Sequence, residues 1–199
     1  MCGLWGYAGD ACAASADTLD EILTLASRRG PDGFGLWCDG VLTHGAGTAA
    51  LDSVDCSAAV IVGHARLATV LDSKQPEHNQ PIQRGDIVIA HNGSIWNERT
   101  LRAALSLRTR CDSEILAVCL DAQAGPLTAR FSAVRRHVDL GDHFALALLH
   151  VGESLLLAAS GQSLYTLNES RSVYWCSMRP DARWRPVSGT QVYDWETVS

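Results

Sequence analysis

The sequence predicts an α+β fold in which a mostly antiparallel sheet is covered by helices on one or both faces. Short apolar runs fill both ends of the 199-residue chain, while helical periodicity is concentrated between residues 97 and 137. Segregation of this kind marks α+β architecture. Hydrophobic residues make up 47% and charged residues 19% of the chain, close to the globular average, and the length suits a single domain spanning 1–199.

The elements follow in order. Residues 3–8, Gly-Leu-Trp-Gly-Tyr-Ala, read as a short buried strand. Residues 15–28 repeat Leu19, Ile22, Leu23, Leu25 and Ala26 at helical spacing, with Ser15 or Asp17 as cap. That helix stops at Arg28-Arg29-Gly30-Pro31-Asp32-Gly33, where Gly and Pro turn the chain. Strands are expected at 34–39 and 41–46 around an Asp39-Gly40 hairpin turn, and again at 58–63 and 86–90. A polar, Pro-containing connection separates the last two, from about residue 67 to 85. Residues 97–107, 113–123 and 125–137 read as the helical layer. Strands at 144–149, 154–159, 164–167 and 173–177, divided by Gly, Ser, Asn and Asp, read as a meander or set of hairpins. The tail after Pro180 is expected to be irregular.

Charge and hydropathy exclude several classes of partner. Sixteen Lys and Arg against 22 Asp and Glu give a net charge of −6, which leaves no basic surplus for a phosphate backbone, so nucleic acid is not an expected partner. Only one of the sixteen, Lys74, is a lysine. The longest apolar stretch, Phe144–Ala159, is interrupted by His150 and by Gly152-Glu153-Ser154 and is too short for a membrane span of ~20 residues. The first residues carry no secretory signal pattern. Seven cysteines, an odd number without paired Cys-x-x-Cys spacing, suit neither a disulfide framework nor a zinc site, and a reducing cytoplasm is the expected location.

Cys2 stands apart from the other six. A small second residue permits removal of Met1, and the freed residue then carries a thiol nucleophile together with an α-amine whose reference pKa of about 7.7–8.0 suits it to accept the thiol proton. The mature chain is therefore expected to begin at Cys2. His64, His78 and His91 match no metal spacing; no metal or cofactor is expected, and the three read as structural hydrogen-bonding residues.

Behind Met1-Cys2-Gly3 come, in order, Arg29-Gly30-Pro31-Asp32-Gly33, Gly63-His64-Ala65-Arg66-Leu67-Ala68-Thr69, His78-Asn79-Gln80-Pro81-Ile82, His91-Asn92-Gly93-Ser94-Ile95-Trp96-Asn97 and Cys111-Asp112-Ser113-Glu114. This succession resembles the class II glutamine amidotransferases, whose glutaminase domain is an N-terminal-nucleophile hydrolase. Trp184-Arg185-Pro186-Val187 is similar to the family's closing segment. Ser94 and Val70 differ from the residues several subfamilies carry at those places.

The resemblance implies a four-layer α/β/β/α sandwich of two mostly antiparallel sheets. It implies Cys2 as the nucleophile that forms a γ-glutamyl thioester, with the Asn92 side chain and the Gly93 N–H as the oxyanion hole. A fixed neutral donor of that kind typically contributes ~2.7–4 kcal/mol to transition-state stabilisation. Arg66 would clamp the substrate α-carboxylate with its planar fork and Asp112 would hold the α-ammonium. Asp112 also reads as an N-cap for the helix that follows. Arg29, Gly30 and Thr69 are expected to support the nucleophile. The implied reaction is hydrolysis of L-glutamine, with ammonia passed to a separate synthase subunit, since 199 residues leave no room for an acceptor domain. A stand-alone amidohydrolase acting on a larger γ-glutamyl compound, and a catalytically silent module of the same fold, are the alternatives.

Overall fold

A computed structural model describes residues 1–50, 54–68 and 76–194; Thr69, Val70, Lys74 and Trp195 lie outside them. The chain opens with strand β1 (Gly3–Gly9) and helix α1 (Ala16–Arg29), whose first turn is capped by Ser15 Oγ accepting from Thr18 N at 3.3 Å. Strands β2 (Gly33–Cys38), β3 (Val41–Ala46) and β4 (Val60–Arg66) follow, then β5 (Ile82–Arg84) and β6 (Ile87–Asn92). Helices α2 (Glu98–Ala104), α3 (Ser113–Asp121) and α4 (Leu127–Val134) lead into β7 (Phe144–His150), β8 (Ser154–Ser160), β9 (Tyr165–Glu169), β10 (Ser172–Cys176), β11 (Arg185–Pro186) and β12 (Gly189–Asp194).

Seven strands form one sheet in the order β11-β9-β10-β1-β4-β2-β3, and five form a second in the order β12-β8-β7-β6-β5. Every pairing between these strands is antiparallel. Alternation along the strands then builds three apolar layers. On β1, Leu4 and Ala8 face the opposite sheet while Trp5 and Tyr7 face α1; on β4, Val60 and Val62 face inward while Ile61 and Ala65 face α1. On β6 and β7, Val88, Ala90, Ala145 and Ala147 fill the gap between the sheets, and Ile87, Ile89, Leu146 and Leu148 pack against α3 and α4. The result is the α/β/β/α sandwich that the resemblance implies. Because both faces of the central strands are covered, β7 is buried at all seven positions and reads in sequence as one continuous apolar run.

The tail corrects an expectation. Beyond Pro180 the chain is not irregular: β11 pairs with β9, Trp184 is buried under the α1 layer, Val187 enters the gap between the sheets, and β12 pairs with β8 from Gly189↔Ala159 to Asp194↔Ser154. Pro and Arg punctuate the segment only to residue 186; the Thr-Gln-Val-Tyr that follows has strand propensity enough to close the sheet edge. The short strand β5 likewise lies within the stretch expected to be connection, and the helices expected at 97–107 and 125–137 are shorter than their apolar pattern.

Gly63 shows how tightly the α1 side is filled, for a Cβ there would overlap the Trp5 indole. Gly63→Ala is therefore expected to lower the unfolding free energy by about 1–3 kcal/mol through overpacking. Urea denaturation measures it, and a change within about 0.5 kcal/mol, as at an ordinary surface site, would contradict the packing described.

Candidate active site

Cys2 sits half-buried where β1 begins, and two neighbours approach it. The backbone N–H of Leu67, just past the end of β4, points at Cys2 Sγ at 3.3 Å, and Asn92 Nδ2 at the end of β6 donates to the Cys2 carbonyl at 2.9 Å. The antiparallel register Gly3↔Ala65 sets the first approach, because it stops β1 and β4 together. The second crosses from one sheet to the other.

The glycines flanking this point have a packing reason. A Cβ on Gly3 would overlap the Ala26 backbone, and one on Gly30 would overlap the Ala65 carbonyl. Gly3 thus lets α1 lie directly on the first residues of β1, and Gly30 lets the chain leaving α1 pass against the end of β4. Arg29 donates from Nη1 to the Ser177 carbonyl at 2.7 Å and to Ser163 Oγ at 3.2 Å, while Ser177 itself pairs with Leu4 through Leu4 N to Oγ at 3.0 Å and its own N to Leu4 O at 2.8 Å. Burial lowers the Arg29 pKa, and the thiols of Cys176 and Cys2 work against that shift. Thr69 lies outside the described residues.

Of the seven cysteines, all are free, but burial holds several as thiols. It pushes Cys38 up to about 11, Cys176 up to about 12, and Cys119 upward as well. Burial also pushes Cys111 up to about 11, with Asp112 adding to the shift and Ser113 and Arg66 opposing it. A nucleophile needs a reachable thiolate, and the raised pKa of these four works against one. Cys2 has a backbone donor aimed at its sulfur and an opening to solvent.

Arg66 and Asp112 are each held by a neighbour. Arg66 follows directly on Ala65 and precedes the Leu67 N–H; its Nη1 donates to Asn79 Oδ1 at 3.1 Å. Asn79 is itself pinned, its Nδ2 donating to Phe34 O at 3.0 Å and Gly45 O at 2.8 Å. Asp32 Oδ2 accepts from Ala68 N at 2.9 Å and fastens the segment beyond. Asp112 does not cap α3 with its side chain, contrary to the cap expectation; Oδ2 instead accepts from Ile95 N at 3.0 Å, tying the loop after Gly93 to the start of α3. The other carboxylate oxygen meets Ser113 Oγ only at 3.4 Å.

Gly93 has φ +148°, a backbone that L side chains rarely adopt, and a Cβ there would lie 2.6 Å from His91 Nε2. His91 is held on its other side by Ser113 Oγ at 3.0 Å, and Gln80 brackets its backbone, accepting from His91 N at 2.6 Å and donating to His91 O at 3.0 Å. His78 Nδ1 accepts from Arg110 N at 3.4 Å. His64 is buried beside Asn92, and neither ring nitrogen meets a hydrogen-bond partner in good geometry among the described residues.

Asn79, Gln80 and Glu114 escaped the sequence reading as positioning residues. Glu114 is buried and accepts from Arg108 N and Thr109 N at 2.8 and 2.6 Å besides pairing with Arg84, so it folds the loop that delivers Asp112. The available signal was a pair of adjacent carboxamides beside Pro81 and an acid in an otherwise apolar helix.

The architecture has four layers, with Cys2 immediately before the first strand. A profile of the glutamine amidotransferase domain family matches residues 1–133. The chain belongs to that family. Among solved structures, the glutamine phosphoribosylpyrophosphate amidotransferase from B. subtilis complexed with ADP and GMP aligns over 98% of this chain and 49% of its own, with 18% identity and a TM-score of 0.72. A structure described as the allosteric regulatory enzyme of purine biosynthesis aligns over 98% and 48%, with 19% identity and a TM-score of 0.75. The chain thus spans about half the length of either. A comparison with curated protein sequences finds no significant match.

The buried histidines set a pH dependence of stability. Burial lowers His64 to about 3, partly offset by Asn92, and lowers His91 as well. The folded protein keeps both neutral while an unfolded histidine takes up a proton below about pH 6.5. The unfolded state therefore binds more protons on acidification, and stability falls as pH drops. His64 alone is expected to remove about 2 kcal/mol between pH 7 and pH 5. Urea unfolding of His64→Gln should show a correspondingly flatter profile, and an unchanged profile would contradict a buried neutral His64.

Proposed function

We propose that this protein hydrolyses the side-chain amide of L-glutamine through an N-terminal cysteine thioester and releases ammonia for a synthase. The observation that carries the reading is the convergence on Cys2 of the Leu67 N–H and the Asn92 amide.

In this reading Met1 is removed and the α-amine of Cys2 takes the thiol proton. The thiolate attacks the glutamine side-chain carbonyl carbon, and the carbonyl oxygen becomes an oxyanion. Asn92 has a second N–H beyond the one spent on the Cys2 carbonyl, and together with the Gly93 N–H it stabilises that charge. Collapse of the intermediate breaks the carbon–nitrogen bond, and the cysteine ammonium protonates the departing amine as ammonia. Water, deprotonated by the same amine, then attacks the thioester and frees glutamate and the thiol.

Arg66 binds the substrate α-carboxylate with a guanidinium preset by Asn79, and Asp112 offers the carboxylate that faces the α-ammonium. Arg29, Gly30 and Thr69 support the nucleophile strand. The ammonia passes to an acceptor synthase. Among the described residues no helix is long and apolar enough to cross a membrane. Seven free thiols suit a reducing cytoplasm, which we take as the place of the reaction.

The glutaminase assay tests the reading directly. Cys2→Ala should fold and lose ammonia release, whereas Asp112→Asn should raise KM for glutamine about tenfold or more with a smaller effect on folding. Turnover in Cys2→Ala, or activity on a larger γ-glutamyl conjugate with none on glutamine, would overturn it.

A further inference from the structure

Strand alternation brings two polar side chains to the end of the layer between the sheets. On β4, Val60 and Val62 face the second sheet, and His64 is the next residue of that row; on β6, Val88 and Ala90 face back, and Asn92 is the next. The two strands meet across the layer. His64 is 1% exposed and Asn92 6%. Asn92 Oδ1 and both ring nitrogens of His64 have no hydrogen-bond partner among the described residues. A buried amide oxygen requires a donor, and the imidazole beside it has one to give.

We propose that His64 is a positioning residue that donates a ring N–H to Asn92 Oδ1 and so fixes which end of the Asn92 amide faces Cys2. The two ends of a carboxamide are nearly equal in shape, and packing alone does not distinguish them. Turned over, Asn92 would present an oxygen to the place where negative charge develops. A histidine kept neutral by burial supplies its N–H without adding a charge to the site, and the Asn92 side chain is the neighbour that works against its depressed basicity. Arg66, His91 and His44, the charged or titratable groups around it, all disfavour an imidazolium. The inference rests on the oxyanion role proposed above for Asn92.

Two readouts test it. In the glutaminase assay, His64→Phe is expected to lower kcat about tenfold to hundredfold, short of the loss expected when the Asn92 donor itself is removed, with KM unchanged and folding retained. His64→Gln, which can still donate, is expected to recover part of that loss. In the resting protein, 15N NMR of the imidazole should show a neutral ring with one hydrogen-bonded N–H whose signal moves in Asn92→Ala. Full kcat in His64→Phe, or a His64 signal indifferent to Asn92→Ala, would overturn the proposal. The NMR experiment reads the hydrogen bond even where His64→Phe does not fold or the wild type releases no ammonia, so the two proposals fail separately.

Discussion

The bond from Asn92 Nδ2 to the Cys2 carbonyl joins the two sheets at the place where the first strand begins. Its donor stands on β6 and its acceptor on the residue before β1, so its geometry depends on how the sheets are stacked and not on any local turn. The stacking is set by small and large residues sharing the interlayer: Ala90, Ala145 and Ala147 from one sheet meet Leu4, Trp37 and Trp175 from the other. Close approach at the alanines carries Asn92 to Cys2. Were the layer about an ångström thicker there, a donor on one sheet could not reach a carbonyl on the other.

The remaining parts of the site are held by polar residues that act one step removed. Asp32 fastens the chain beyond Arg66, Asn79 holds the Arg66 guanidinium, Gln80 pairs with the His91 backbone like a missing strand, and Glu114 gathers the loop before Asp112. Each bonds backbone or side chains where the chain is irregular, and Asn79, Gln80 and Glu114 are buried in doing so.

Much of this was legible in the sequence because the central strands alternate or run apolar and the breaks fall at Gly, Pro and Asn. Of the residues the motifs pointed to, Asn92 lies against Cys2, while Arg66 pairs with Asn79 and Asp112 accepts from Ile95 N. Less legible was what depends on tertiary pairing. The strand β12 has no fully buried residue and draws its stability from backbone bonds to β8, so hydropathy alone hides it. Asp112 precedes a helix and so looks like a cap, yet its carboxylate turns to Ile95 N because the loop after Gly93 passes beside it. His64 could be placed on a strand, but its orphaned nitrogens emerge only once β6 is known to lie opposite.

The account centres on Cys2 as the atom that carries the acyl group. Incubating the protein with glutamine, quenching in acid within the first turnovers and mapping the peptides by mass spectrometry tests this most directly. A γ-glutamyl adduct on Cys2, in an N-terminal peptide that lacks Met1, is the predicted result. An adduct on another cysteine, or ammonia release from protein that retains Met1, would contradict it.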